Sequence, residues 1–299
     1  MCDVLFALGD ATSDGVALFA KNSDRPPAER QLVEWSPARH DRRSLRATHI
    51  EVPPFDMATH ACVLSRPAWC WGAEHGVNES GVAVGNATVY TTLDPRGAPV
   101  GLIGMDLVRL ALERAATAAE AVVVITTLLE RFGQGGSGHD PAFVANGRAY
   151  WNSFLVADPT HGFVIDTSGD EWAVVAIADA RAISNRTTIE SFDAAHRHPR
   201  QPVERLVDPR WHASQRTLEA RPVTVASLQR HLRSHDSCGE AGWSVCMHVD
   251  GVKHTTASMI AALRPDGGST IWTCTGNPCE HEYARFTFAD AAHLDLSNG

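Results

Sequence analysis

The N-terminal segment contains two short apolar runs that predict a buried β-hairpin. The runs are Val4–Leu8 and Val16–Lys21, and Asp14-Gly15 between them is a strong turn signal. Neither run alternates cleanly between polar and apolar residues, which indicates strands that are covered on both faces. The sequence therefore favours a layered fold in which this hairpin lies inside.

The rest of the chain alternates between strand-like and helical segments. Periodicity predicts helices over Met105–Arg114, 118–132, His212–Ala220 and Val225–Ser234. Strands are predicted over Gln31–Trp35, Thr48–Val52, Ala61–Arg66, Val82–Asn86, Ser153–Ala157, Phe163–Thr167, Trp172–Ala176, Arg181–Ser184, Val245–His248, Ser258–Leu263 and Thr270–Thr275. The polar stretch Arg186–Trp211 predicts a long irregular connection. Without a linker or a repeat, this order predicts one α+β domain over residues 1–299.

Charge and composition exclude several classes of partner. The 299 residues carry a formal net charge of −9 and no basic run, so neither nucleic acid nor an anionic membrane is an expected partner. We expect a cytoplasmic protein, because the N-terminus lacks a signal-peptide pattern and no window is apolar enough to span a bilayer. Seven cysteines, an odd number, favour reduced thiols. Homo-oligomerisation stays open.

Cys2 follows the first methionine directly. Removal of Met1 would make Cys2 the first residue, with a thiol nucleophile and an α-amine base in one amino acid. Such an amine has a reference pKa of about 7.7–8.0 and is partly neutral at physiological pH. The alternative is that Cys2 is a buried small hydrophobe, the commoner role of a free cysteine.

Charged residues follow the second strand of the predicted hairpin. Lys21 and Asp24 fall where an antiparallel partner brings them close to Cys2. An aspartate there can orient a terminal ammonium, and a cation can favour a thiolate. The alternative is an ordinary charged strand end before Pro26.

Segments spread in order over nearly the whole chain resemble the secernin group of the dipeptidase-like N-terminal-nucleophile (Ntn) hydrolases. They are Met1–Asp3, Phe19–Pro26, Trp71–Val82, Gly104–Leu110, Gly133–Gly136, Asn152–Asp158, Ile183–Asn185 and Thr255–Met259. The resemblance implies a four-layer αββα fold, with two antiparallel sheets between helical layers and the nucleophile at a strand end. More distant relatives, penicillin V acylases and bile salt hydrolases, share an Arg-Asn-x-Asp signature. Lys21 stands at the arginine of that signature, and lysine lacks the bidentate fork.

The same resemblance implies roles for individual residues. Cys2 is the nucleophile and, through its amine, the base, while Asp24 orients the amine and Lys21 tunes the thiolate or contacts substrate. Asn185 and Asn86 resemble the donors of an oxyanion hole, and Arg216 a late arginine that supports the site. The alternatives are asparagines that cap turns and a helix-surface arginine.

The implied activity is hydrolysis of an amide or peptide bond in a dipeptide or small N-acyl substrate, through an acyl-thioester. Two alternatives are an N-acyltransferase on the same thioester and a non-catalytic binding protein. No cofactor is expected. The pairs Cys238/Cys246 and Cys274/Cys279, near His248 and His281, are spaced too loosely for a standard zinc motif and are interpreted as buried thiols.

Overall fold

The computed structural model of the chain describes residues 1–41, 43–144, 147–235, 242–265, 267–294 and 296. Its two large sheets are both antiparallel and seven-stranded. The first, which we call the N-terminal sheet, contains β1 (Cys2–Ala7), β2 (Leu18–Arg25), β12 (Ala180–Ile183), β13 (His248–Val249), β14 (Lys253–Ala262), β15 (Thr270–Thr275) and β16 (Ala284–Thr287). Its strand order is β12-β1-β2-β14-β15-β16, and β13 pairs with β14.

The second sheet, which we call the central sheet, is formed by the middle of the chain. Its strands are β3 (Gln31–Ser36), β6 (Cys62–Pro67), β7 (His75–Asn78), β8 (Ala83–Val89), β9 (Trp151–Ala157), β10 (Gly162–Ser168) and β11 (Glu171–Ala176). They follow the order β11-β10-β9-β8-β7-β6-β3. A separate two-stranded ribbon joins β4 (Leu45–Arg46) and β5 (Glu51–Val52).

Helices cover the outer faces of both sheets. They are α1 (Gly104–Arg114), α2 (Ala118–Phe132), α3 (Glu190–His196), α4 (Val203–Leu206), α5 (Asp208–Glu219), α6 (Val225–Leu232) and α7 (Phe288–Ala291). Helices α1 and α2 pack on the central sheet, α5 and α6 pack on the N-terminal sheet, and β1 contacts β8 and β9 across the sheet interface. The layers are therefore αββα. Among the described residues, no helix has both the length and the apolar character needed to cross a membrane.

Three apolar clusters fill the spaces between these four layers. One lies between α1/α2 and the central sheet, one between the two sheets, and one between the N-terminal sheet and α5/α6. Both sheets are thus covered on both faces, as the non-alternating runs of the first hairpin predict. The burial of apolar surface in these three clusters is the main favourable contribution to folding.

Strand β1 divides its side chains between two of these clusters. Val4 and Phe6 point between the sheets, whereas Leu5 and Ala7 point toward α5 and α6. Because strand side chains alternate, Cys2 shares the inner face with Val4, and Asp3 faces the helices. The hairpin register pairs Cys2 with Ser23 and Val4 with Lys21. The start of β1 therefore lies beside the end of β2, where the charged residues are.

The sequence predictions are confirmed for α1 and α2, whose ends agree within one residue with the predicted ranges. The expectation that Arg186–Trp211 is irregular was wrong, because it contains α3, α4 and the start of α5. These helices are short or begin at a proline-containing turn, Asp208-Pro209, so they carry little periodicity. Strand β7, at His75–Asn78, was not among the predicted strands, because its sequence is short and contains polar residues and glycine.

Candidate active site

A cavity of about 190 Å³ opens where β1 begins and β2 ends, between the two sheets. Both sheets and the loops around them contribute to its wall. Of the six residues that the sequence predicts for the site, Cys2, Asp24, Asn86 and Asn185 line it. The volume suits a small molecule rather than a macromolecule.

Cys2 lies in the cavity wall with 6% of its surface exposed. Lys21 donates a hydrogen bond from Nζ to Cys2 Sγ at 3.5 Å and a second one to Ser23 Oγ at 2.6 Å. An ammonium group at this distance stabilises negative charge on the sulfur. The predicted pairing of thiol and cation is therefore present.

Lys21 is a fully buried cation, and its environment is built to hold it. Its side chain runs across Gly85 on β8, where an added Cβ would lie 2.9 Å from Lys21 Cδ. Its ammonium forms an ion pair with Glu74 Oε2 at 3.5 Å. A buried charge requires such a partner, and Glu74 provides it. The absence of a side chain at Gly85 leaves the room that the Lys21 side chain occupies.

Glu74 has a second cationic neighbour, Arg25, at 3.3 Å. Burial alone would raise the pKa of the Glu74 carboxyl, but Lys21 and Arg25 outweigh burial and lower the pKa to about 2. Burial, reinforced by the positive charge of Lys21, lowers the pKa of the His75 imidazole well below its usual value. The site thus holds a permanent carboxylate and a neutral imidazole beside the lysine.

Asp24 occupies the end of β2 and carries an oxygen that is free to take a new partner. Thr255 Oγ1 donates to Oδ1 at 2.7 Å, whereas Oδ2 is buried and has no hydrogen-bond partner among the described residues. Burial is the largest influence on this carboxyl and raises its pKa to about 6. A cationic amine placed beside Oδ2 would satisfy this oxygen and favour its ionised form.

Asn185 is held in one orientation by two donors. Its Oδ1 accepts from the backbone nitrogen of Cys2 at 2.8 Å and from Arg210 Nη2 at 3.0 Å. Its Nδ2 donates to the Thr88 carbonyl at 2.9 Å. These partners define which side-chain atom is the oxygen. One hydrogen of Nδ2 then remains for a further acceptor, since an amide nitrogen carries two.

Asn86 lines the same cavity from β8. Its Nδ2 donates to Asn152 Oδ1 at 2.9 Å, which again leaves one amide hydrogen for another acceptor. Asn86 and Asn185 thus both offer a hydrogen-bond donor in the cavity that Cys2 lines. The structure does not bring the sixth predicted residue, Arg216, to this cavity, because its side chain is exposed on α5.

The arginine that does support the site is Arg210, which lies six positions earlier on the same helix. It is completely buried and donates to Asp3 Oδ2 at 2.6 Å as well as to Asn185. Asp3 is equally buried and also accepts from Ser184 Oγ at 2.7 Å. This cluster fixes Asn185 and the first strand to α5. Arg210 was not predicted as a site residue because it lies in the segment that was interpreted as irregular.

Met1 extends β1 by one residue and forms a reciprocal pair with Asp24. Each backbone nitrogen donates to the other residue's carbonyl at 2.8 Å. Burial, and after it Lys253, lowers the pKa of the Met1 amine to about 6. Met1 itself lines the cavity, so its loss would widen the space in front of Cys2.

Two further cations, Lys253 and Arg148, line the cavity, and neither was predicted from the sequence. Lys253 is the first residue of β14, and burial followed by Arg25 lowers the pKa of its ammonium. The described residues place no carboxylate within ion-pair distance of either one. The chain has only two lysines: Lys253 lines the cavity, and the buried Lys21 contacts Cys2 in the cavity wall. Glu74 was also missed, although a buried Lys21 implies a buried anion.

Two solved structures share this fold over most of their length. Penicillin V acylase from Agrobacterium tumefaciens is 12% identical, with a TM-score of 0.60, and the match covers 99% of this chain and 88% of that one. A C2A mutant of the conjugated bile acid hydrolase from Clostridium perfringens is 11% identical, with a TM-score of 0.55 and coverage of 100% and 95%. No protein-family model matches the chain. The predicted αββα Ntn-hydrolase fold is therefore confirmed.

Proposed function

We propose that this protein is an N-terminal cysteine hydrolase that cleaves a small amide or peptide bond through an acyl-thioester. One observation carries the proposal: Cys2 lines a small cavity, with Lys21 Nζ 3.5 Å from its sulfur and Asn185 Oδ1 2.8 Å from its nitrogen. The names of the two structural neighbours, an acylase and a hydrolase, support the reaction class. The secernin-like motifs support a dipeptidase-like branch of it.

The reaction requires Cys2 to be the first residue of the mature chain. Its nitrogen would then be an α-amine that is still held by Asn185 Oδ1, and Asp24 Oδ2 would gain a cationic neighbour. Nucleophile and base would lie in one residue, so no separate histidine is needed. His75 does not fill that role in this proposal, because it is buried and contacts Ser23 rather than Cys2.

Acylation would begin as Cys2 Sγ gives its proton to the α-amine and attacks the amide carbonyl carbon. The oxygen of the resulting tetrahedral adduct would accept from the remaining Nδ2 hydrogens of Asn185 and Asn86. The carbon–nitrogen bond then breaks, and the α-ammonium returns its proton to the leaving amine. The acyl group stays on sulfur as a thioester.

Deacylation would repeat these steps with water as the nucleophile. The neutral α-amine accepts a proton from water, whose oxygen attacks the thioester carbon. The carbon–sulfur bond breaks, the carboxylic acid leaves, and Cys2 recovers its proton. Lys21 stabilises the departing sulfur, while Glu74 keeps Lys21 in place.

The charge around the cavity indicates the substrate class. Lys253 and Arg148 line it without carboxylate partners among the described residues, whereas the charge of Lys21 is balanced by Glu74. Unpaired cations in a small cavity favour a substrate that carries a carboxylate. We therefore propose dipeptides and N-acyl amino acids as substrates, in preference to uncharged amides.

A thiol probe combined with intact mass measurement tests this proposal. We expect the native chain to lack Met1 and an iodoacetamide probe to label Cys2 ahead of the six other cysteines. The position of Cys2 in the cavity wall and the nearby ammonium of Lys21 both favour this selectivity. A chain that retains Met1, or labelling that spares Cys2, would contradict the mechanism. The Cys62→Ala variant serves as a control. Cys62 lies in the apolar cluster between α1/α2 and the central sheet, so its replacement should leave the labelling of Cys2 unchanged.

Activity should fall as the pH drops below about 6, the pKa to which burial raises Asp24. Protonated Asp24 cannot favour the ammonium form of the α-amine, so kcat/KM declines. Stability should respond in the opposite direction. The pKa is about 6 in the folded chain and 3.8 as its ordinary value, so in this window folding takes up a proton and lower pH favours the fold.

The Asp24→Asn variant separates these two effects. We expect lower activity without the acidic limb in the pH profile, together with unchanged or greater stability at pH 7, because a buried carboxylate is removed. Stability is measured by urea unfolding at pH 5 and pH 7. Equal losses of activity and stability would assign Asp24 a merely structural role.

Replacing Lys253 with methionine should raise KM for a carboxylate-bearing substrate by about tenfold and change kcat little, since a single charged contact is removed. Methionine keeps the length of the side chain. The matched substrate with a C-terminal carboxamide should be insensitive to this change. If both substrates respond equally, Lys253 does not recognise the carboxylate.

A further inference from the structure

A cluster of two thiols and two imidazoles lies outside the cavity, at the edge of the N-terminal sheet. It contains His235, Cys246, His248 and Cys279, and their ligand atoms all lie within 4.8 Å of one another. Three separate parts of the chain supply these residues: the segment after α6, the segment that ends in β13, and the turn that follows β15. The proposed reaction uses none of the four.

The internal distances of this cluster approach those of a metal centre. His248 Nε2 lies 3.5 Å from Cys246 Sγ and 3.2 Å from Cys279 Sγ. Zinc bonds of about 2.3 Å to sulfur and 2.0 Å to nitrogen place the ligand atoms of a tetrahedron about 3.3 to 3.8 Å apart. One hydrogen bond between a thiol and an imidazole explains one such contact, but not the convergence of four donors.

The backbone holds these ligands in place. Cys246 lies in the bend two residues before His248, which is the first residue of β13. The Cys246 nitrogen donates to the Ser234 carbonyl at 2.9 Å, which brings the two segments together. The ring of His235 meets that of His248 edge-on, with centroids 5.0 Å apart.

We propose that these four residues form a Cys₂His₂ zinc site. Two thiolates and two imidazoles in a tetrahedral arrangement suit Zn²⁺, and four protein ligands leave no position open for substrate. The site is therefore structural. It anchors the segment that includes Trp243, and Trp243 lines the cavity in front of Cys2. Zinc would thus fix one wall of that cavity without taking part in the chemistry.

This arrangement differs from the interpretation based on sequence. The loose spacing of the cysteines suggested buried thiols, and two of the residues considered there are not ligands. Cys274 Sγ instead contacts the His281 carbonyl at 3.8 Å. Cys238 lies outside the described residues. The donors that converge come from positions 11, 2 and 31 residues apart in the chain, a pattern that no short motif reveals.

The test is the zinc content of the purified full-length chain by mass spectrometry of the metal, after growth with added zinc. We expect about one zinc per chain, and less than about a tenth of that in Cys246→Ser and in His248→Ala, since each lacks a ligand. Matched controls are Cys274→Ser and His254→Ala, a neighbouring thiol and a ring 5.4 Å from His248 that are not in the cluster. Both controls should keep their zinc.

A second measurement on the unmodified chain remains decisive if a ligand variant fails to fold. X-ray absorption at the zinc edge should show two sulfur and two nitrogen neighbours at about 2.3 Å and 2.0 Å. Removal of zinc by a chelator should lower Tm, and added Zn²⁺ but not Mg²⁺ should restore it. A zinc-free chain, zinc retained by both ligand variants, or a disulfide between Cys246 and Cys279 would overturn the proposal. None of these measurements requires an active Cys2.

Discussion

Replacing Cys2 with alanine will lower kcat/KM by about 10⁴-fold or more, to the level of a control without enzyme, because it removes the thiol that carries the acyl group in the proposed mechanism. Alanine keeps the small size of the residue and allows the same hydrogen bond from its nitrogen to Asn185 Oδ1. The measurement is hydrolysis of a panel of dipeptides and N-acyl amino acids. It is followed by kinetics on the best substrate.

The Cys62→Ala variant is the matched control for this experiment. It removes a buried sulfur from the apolar cluster between α1/α2 and the central sheet, and Cys62 does not line the cavity. We expect its kcat/KM to stay within about twofold of the original, since it loses no interaction with the transition state. Undiminished hydrolysis by Cys2→Ala would rule out the thioester mechanism.

Replacing Arg210 with methionine will lower the free energy of unfolding by about 3–5 kcal/mol, because it leaves the carboxylate of Asp3 buried without its cation. Both partners are 0% exposed, and their atoms lie 2.6 Å apart. Urea unfolding monitored by tryptophan fluorescence measures the change. The same substitution at Arg216, exposed on the same helix, should change stability by less than about 0.5 kcal/mol.

A double variant distinguishes an unpaired charge from a packing defect. If Asp3→Asn is added to Arg210→Met, the buried carboxylate disappears, and we expect part of the lost stability to return. Equal stability of the single and double variants would show that the guanidinium acts through packing alone. The double variant still lacks the Arg210 contact to Asn185, so its activity should remain low.

The two central helices and the first hairpin could be predicted because their signals are local, whereas the four-layer order was implied by the family resemblance. The helical period of 118–132 and the cap at Thr117 define α2, and the capping side chain accepts from the Glu120 nitrogen as the spacing predicts. The hairpin of β1 and β2 follows from two apolar runs and a turn. The register of that hairpin then brings Lys21 near Cys2 without any knowledge of the second sheet.

What could not be predicted depends on contacts between distant segments. Glu74, the residue before β7, becomes part of the site only because it forms ion pairs with Lys21 and Arg25 of β2, and its sequence context of glycine and histidine suggests a turn. Lys253 begins a strand whose predicted start was Ser258. Arg210 and Arg216 share one helix but lie on different faces of it, and the packing of that helix on β1 and β12 decides which of them is buried.

The distribution of primary amines has a practical consequence. The sequence holds only two lysines; Lys253 and the Met1 amine line the cavity, whereas Lys21 is fully buried. Amine-directed dyes, crosslinkers and coupling resins would therefore attach at Lys253 or the terminal amine, both at the cavity. A surface tethered through succinimidyl ester chemistry would block access for small molecules, whereas the loss of ester labelling when a ligand is added would report its binding directly.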